Sequence, residues 1–176
     1  MTGGIRSGKS AYAEGLLSSE ASATYLATGP QPSSDDAEWR SRVAAHQLRR
    51  PESWTTVEGH DVAHVLQSAT GPVLLDSLGS WLTATLDRLE AWDNHGEWTT
   101  SLSTAVDALA AAVAEFDHEL VIVTEEVGLM LVSEHRSGRI FADWLGTLNQ
   151  RVVAECERVV LVVAGCPLII KDATPG

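Results

Sequence analysis

Short continuous apolar runs alternate along the chain with longer stretches in which apolar residues recur every three or four positions. The runs are TYLAT from Thr24 to Thr28, GPVLLD from Gly71 to Asp76, LVIVT from Leu120 to Thr124, and VVLVVAG followed by PLIIK near the end. GPVLLD and LVIVT, continuous apolar runs, read as buried strands, and TYLAT and the two closing runs read as strands. Helical spacing places Ala13, Leu16 and Leu17 on a helix from Lys9 to about Ser19, and Trp39, Val43 and His46 on one ending before Pro51. Further helices are expected from about Leu78 to Ala91, near Leu102 to Phe116 with Val106, Leu109 and Val113 inward, and from about Ser137 to Glu155 with Ile140, Phe141, Trp144, Leu148 and Val152 inward. Gly29 to Asp36 reads as a loop and Trp92 to Trp98 as a polar linker. Strands alternating with helices give an α/β fold, a mostly parallel sheet with helices on both faces, because right-handed crossovers require them.

GGIRSGKS at Gly3 to Ser10 makes the start of the chain chemically specific. Gly3 and Gly8 bracket a loop whose backbone N–H groups turn inward around phosphate oxygens, in conformations that side chains obstruct. Lys9 then reaches the β and γ phosphates, Ser10 ligates magnesium, and the positive end of the following helix faces the same anion. Such a P-loop should follow a buried strand, yet Met1 and Thr2 are all that precede Gly3, so the first strand is missing from the chain. The expectation is that the native start lies several residues upstream, with Met1 as the last apolar residue of that strand. Asp76 ends a strand where P-loop enzymes place an acid for magnesium, directly or through water, and a helix cap is the alternative. Glu125 and Glu126 end another strand, as site acids or as solvated loop acids.

Composition narrows the partners. The 176 residues suffice for one domain, 1–176, with a sizeable core. Twelve Lys and Arg against 24 Asp and Glu give a formal charge of −12, which disfavours nucleic acid. No apolar run reaches the ~18 residues that span a bilayer, and no signal-peptide pattern opens the chain, which fits the cytoplasm. Cys156 and Cys166 have no metal spacing and read as small buried hydrophobes. His60 and His64 lack a third ligand and read as a solvated pair. Trp39, Trp81 and Trp144 fit core faces, while Trp54, Trp92 and Trp98 leave base stacking open.

His46 carries the most information of any single residue. Arg42 lies one turn before it and Arg49 three residues after, with Arg50 adjacent, so one helix face presents an imidazole between guanidiniums. A neutral imidazole there can attack an α-phosphorus while the arginines hold phosphate oxygens. A partly buried packing histidine is the other reading of the same spacing.

Taken together, these segments resemble the bifunctional adenosylcobinamide kinase and adenosylcobinamide-phosphate guanylyltransferase family of cobalamin assembly, nearly end to end. GGIRSGKS is similar to its GGxRSGKS, including Arg6 and Ser7. RVAAHQLRRPESW (42–54), TVE (56–58), LLDSLGSWLT (74–83) and EVGLMLVSEHRSGRIFADWLGTLNQR (126–151) resemble its other motifs in order. The resemblance implies a P-loop α/β enzyme that phosphorylates adenosylcobinamide with ATP or GTP. It then transfers GMP from GTP to the resulting phosphate through a GMP-histidine intermediate, for which His46 matches. It also implies nucleotide contacts at Gly3, Gly4, Ile5, Arg6, Ser7, Gly8, Lys9 and Ser10, at Ala27, Thr28 and Gly29, at Gln47, Leu48, Arg49 and Arg50, and at Glu58 and Asp76. Magnesium on Ser10 and Asp76, a corrinoid substrate and a homotrimer complete the implied set. An acid at Glu58 would accept guanine N1–H and N2–H.

The chain departs from the family pattern in places. Glu125 stands where asparagine is usual, as does Ala84; Met130, Ser133 and Ala142 stand where glycine, proline and arginine are usual. Glu125 adds negative charge near anionic substrates. A small-metabolite P-loop kinase without nucleotidyl transfer, and a nucleotide-binding protein that has lost turnover, are the alternative functions.

Overall fold

A computed structural model describes residues 1–31, 36–93, 97–129 and 131–173, without the side chains of residues 38, 39 and 42. The core role expected of Trp39, the place of Arg42 beside His46, and the departure at Met130 lie outside the described residues.

The elements in chain order are α1 (Lys9–Leu16), β1 (Thr24–Ala27), α2 (Ala37–Arg49), β2 (Thr55–Glu58), α3 (Val62–Ser68), β3 (Val73–Asp76), α4 (Leu78–Arg88), α5 (Trp98–Ala114), β4 (Leu120–Val123), α6 (Arg136–Glu155), β5 (Arg158–Val163) and β6 (Cys166–Asp172). Four strands form a parallel sheet in the order β2-β1-β3-β4, and β5 with β6 makes an antiparallel hairpin. The expected P-loop α/β architecture is therefore present.

Among the described residues none of the strands β1 to β6 fills the slot before the phosphate loop, and a single bridge, Thr2 with Leu161, marks the expected strand end. Met1 to Gly3 lies there as a short extended stub, joining the sheet to the hairpin. On one side Thr124 N–H donates to Met1 O (2.9 Å) and Glu126 N–H to Gly3 O (3.1 Å). On the other, Thr2 N–H donates to Val160 O (2.8 Å) and Val162 N–H to Thr2 O (2.9 Å). Backbone groups in this buried position need such partners, and the stub supplies them to both neighbours.

Alternation along the strands divides the interior. Leu26, Val73, Leu75 and Ile122 meet α3 to α6, where Leu82, Leu86, Leu102, Val106, Leu145 and Leu148 are nearly inaccessible. Tyr25, Leu74, Val121 and Val123 face the other way onto Ala13 of α1 and Leu17 just after it, with Trp54. Asp61 caps α3 by accepting from His64 N–H, and Ser77 caps α4 by accepting from Ser80 N–H.

β2 and α3 were not expected. TTVE has three exposed positions on an edge strand, so its sequence carries no apolar alternation. Three helix boundaries also shift: α1 stops at Leu16, α4 at Arg88, and α5 begins at Trp98 inside the expected linker. Trp81 is buried as expected, and Trp98 packs against Trp144 with ring centroids 6.1 Å apart, so it serves the core. Cys166 is exposed, against the expectation of burial, because its strand is largely uncovered. Among the described residues no helix is long and apolar enough to cross a membrane.

Candidate functional site

The carboxyl ends of the parallel strands line up. Pairing register sets Glu58, Ala27, Asp76 and Val123 in one row across the sheet, beside the amino end of α1. Ligands of open α/β sheets bind at this edge. A cleft opens there, bounded among others by Lys9, Ser10, Tyr25, His46, Asp76 and Glu125. Ala27, Gly29, Gln47, Arg50 and Glu58 line it as well, so expected nucleotide contacts from five separate segments converge there.

The loop before α1 has the geometry of an anion cradle. Gly8 takes φ +94° at the N-cap and no side chain caps the helix, which leaves amide donors for a ligand. Arg6 also has positive φ, at 56°. A Cβ on Gly3 would lie 2.5 Å from Val162 O, so glycine is needed where the loop passes β5. Lys9 Nζ donates to Gly4 O at 3.4 Å, folding over the loop it would share with phosphate. Gly4, Ile5 and Arg6 are exposed around the cradle, and Ser7 Oγ is buried inside it without a partner.

His46 is held by an acid that sequence reasoning missed. Its Nδ1 lies 3.0 Å from Oε1 of Glu14, a carboxylate on α1 whose side chain is 5% exposed. Arg49 clamps the same carboxylate, with Nε 2.6 Å from Oε2 and a terminal nitrogen 3.2 Å from Oε1. Burial alone would raise the Glu14 pKa, but hydrogen bonds from His46 and Arg49 outweigh it and hold the carboxyl below the usual range. Glu14 follows Ser10 by one helical turn and shares its face of α1, but that spacing alone does not say what the acid meets.

Asp76 lies 3.9 Å from His46 Nδ1 and accepts from Tyr25 Oη at 3.0 Å. Burial, and then the Asp76 charge, push the Tyr25 phenol pKa up. Arg50 stacks 3.7 Å from the Tyr25 ring centroid and donates to His46 O and Thr56 Oγ1. Glu58 accepts from Gln31 Nε2 at 2.7 Å.

Three expected contacts beyond the phosphate loop stand back from the cleft. Thr28 is buried, its hydroxyl donating to Ser77 O (2.6 Å) and accepting from Ser77 N–H (2.9 Å), so it braces the backbone after Asp76. Leu48 is 88% exposed on the outer side of α2. Arg49 is engaged with Glu14 rather than lining the cleft.

Glu125 does line it, whereas Ala84, Ser133 and Ala142 do not. Its Oε1 accepts from Ser77 Oγ at 3.0 Å and lies 4.0 Å from Lys9 Nζ, while Oε2 is buried without a partner. Burial is the main cause that pushes its carboxyl pKa up. Asn149 on α6 steadies this corner, accepting from Thr124 Oγ1 and donating to Glu125 O. Glu126 turns away to accept from Gly128 N–H. His60 and His64 are exposed, and among the described residues no group of three or more His, Cys, Asp or Glu is gathered as a metal site.

Comparison with known proteins agrees with this geometry. The family described as cobinamide kinase / cobinamide phosphate guanyltransferase matches residues 1–170. The chain is 33% identical to the bifunctional adenosylcobalamin biosynthesis protein CobU of Escherichia coli, over 97% of this chain and 98% of that one. Identity to the protein of the same name from Salmonella typhimurium is 33%, with the same coverage. It is 35% to the bifunctional adenosylcobalamin biosynthesis protein CobP of Pseudomonas aeruginosa, over 96% and 94%. With a phosphate loop, a clamped histidine and a strand-end acid around one cleft, and a match over nearly its whole length, the chain belongs to the cobinamide kinase / cobinamide phosphate guanyltransferase family.

Proposed function

We infer that this chain is a cytoplasmic enzyme of cobalamin biosynthesis carrying both activities joined in its family's name. It phosphorylates adenosylcobinamide with ATP or GTP. It then transfers GMP from GTP to adenosylcobinamide phosphate, giving adenosylcobinamide-GDP and pyrophosphate. The observation that carries this reading is the presence of His46 in one cleft with Lys9, Ser10 and Asp76. A kinase alone has no use for a nucleophilic ring beside its triphosphate, whereas a transferase that carries GMP covalently does.

In this reading the Gly3 to Ser10 loop and the α1 amino end hold the phosphates, and Lys9 exchanges Gly4 O for a phosphate oxygen. Ser10 and Asp76 fit magnesium, since a hydroxyl and a carboxylate on one cleft leave other positions to phosphate oxygens and water. Magnesium, when bound, neutralises charge that develops between the phosphates. Arg50, fixed against Tyr25, faces the same anion. The bond that Glu58 accepts from the Gln31 amide supports a role in accepting guanine N–H groups. The uncovered apolar residues Val163, Leu168, Ile169 and Ile170 support a homo-oligomer, which the resemblance makes a trimer; sedimentation velocity tests it.

GTP labelled at the α-phosphorus is the direct test. The wild-type protein is expected to take up an acid-labile, base-stable label that His46→Ala lacks and that adenosylcobinamide phosphate discharges. Turnover of GTP with no protein-bound label would sink the reading. Glu125 favours a second one, guanylyl transfer without the kinase step, because its carboxylate competes with phosphate for Lys9. Product formed from adenosylcobinamide phosphate but none from adenosylcobinamide would select it.

A further inference from the structure

We propose that Glu14 is the positioning residue that fixes the tautomer of His46, so that Nε2 presents its lone pair to the α-phosphorus in the first half of guanylyl transfer and recovers it in the second. The inference rests on the reading of His46 as nucleotidyl carrier and extends it to a residue on a different helix. Three observations carry it. Glu14 is buried on α1, and its Oε1 lies 3.0 Å from His46 Nδ1. Arg49 holds both carboxylate oxygens, so the acid is ionised, has no proton to donate and cannot swing away. A bond between an ionised carboxylate and Nδ1 requires the proton to sit on Nδ1. The competing acid, Asp76, is 3.9 Å from the same nitrogen and already accepts from Tyr25 Oη. Free imidazole prefers the opposite tautomer, with the proton on Nε2, so without Glu14 the ring would face the cleft with its wrong nitrogen.

The chemistry closes on this arrangement. In the first half the Nε2 lone pair forms a bond to the α-phosphorus as the bond from that phosphorus to the bridging oxygen breaks, and pyrophosphate leaves with those electrons. The Nδ1 proton stays in place, and the ring's positive charge is met by the Glu14 carboxylate. In the second half an oxygen of the substrate phosphate attacks the same phosphorus, and the N–P electrons return to Nε2. The ring gains and loses no proton over the cycle. Arg49 thus acts one step further back, by orienting Glu14 rather than by touching the nucleotide.

The test combines nitrogen NMR with labelling on the full chain. With ¹⁵N-histidine, wild-type His46 at neutral pH is expected to carry its proton on Nδ1; a proton on Nε2 in the wild type would overturn the proposal without any variant. In Glu14→Ala the proton should move to Nε2. The rate of label uptake from α-labelled GTP should fall about 100-fold or more, by analogy with triads whose orienting acid is lost. GTP affinity should stay within about threefold, since Glu14 contacts the ring and not the phosphates. Glu14→Asp should recover part of the rate, which a purely structural role would not predict. Uptake at the wild-type rate by folded Glu14→Ala overturns the role of Glu14 alone. Absence of label on the wild-type protein overturns the carrier reading instead, so the two failures are distinct.

Discussion

Two glutamates stand at or behind the cleft wall, Glu14 buried and Glu125 half-buried, and they have opposite fates. Glu14, between α1 and α2, is met by His46 and Arg49 and its pKa is held down. Glu125, where β4 runs out beside the phosphate loop, has one oxygen on Ser77, Lys9 at 4.0 Å and the other oxygen unpartnered, and its pKa is pushed up. Burial acts in the same direction on both carboxylates; the number and geometry of donors decide the sign. The first acid is a finished structural element. The second is a charge waiting for a cation or a proton, beside the lysine that must also hold phosphate.

The comparison can be broken most severely at Lys9. Lys9→Ala removes the phosphate contact and the ammonium facing Glu125, and GTP turnover is expected to fall about a hundred- to a thousandfold, measured as pyrophosphate release. Arg49→Ala tests the finished side: it leaves Glu14 with His46 alone. Urea denaturation at pH 7 should register a loss of about 2 kcal/mol, below the value for a fully buried pair because Arg49 is 40% exposed. Glu125→Asn tests the unfinished side and should stabilise the protein by about 1 kcal/mol, by removing an unsatisfied buried oxygen. A less stable Glu125→Asn would mean that the acid has a donor the unliganded fold does not supply.

The smallest effect is the pH dependence. The folded pKa of Glu14 lies below its unfolded value of 4.5, so its contribution is present above that pH and is lost as pH falls through the folded value. Glu14→Gln should therefore flatten the acid limb of the stability curve. The folded pKa of Glu125 lies above 4.5, so the folded state holds that proton more tightly and stability declines as pH rises from 4.5 through the folded value. Glu125→Asn should remove that decline, and thermal midpoints across the pH range distinguish the two slopes.

How much of this was legible in the sequence depended on whether a feature is local. The phosphate loop was readable because glycine, lysine and serine act through the backbone that they themselves shape. Asp76 was readable because it ends a continuous apolar run. Glu14 was not: an acid on a short helix looks the same whether it meets solvent or a histidine 32 residues away. Thr28 was named as a contact, yet whether a strand-end hydroxyl meets ligand or a neighbouring backbone is settled by packing. β2 escaped because an exposed edge strand has no apolar pattern to read. The place of Met1 at a strand end was readable from the motif that follows it, whereas its neighbours' backbone bonds to β4 and β5 depend on packing.

The turn between β5 and β6 touches the phosphate loop from behind. Gly165 N–H donates to Ser7 O at 2.8 Å, and a Cβ on Gly8 would lie 3.3 Å from Gly165 Cα. The hairpin turn and the nucleotide cradle are therefore in direct contact, and any coupling between them must be mutual. If an anion on the cradle raises the affinity for whatever covers the hairpin's apolar strand, that cover raises the affinity for the anion by the same factor. The Gly165 amide, bonded to Ser7 O, is thus expected to gain protection from exchange when GTP is added, which hydrogen-exchange measurement checks.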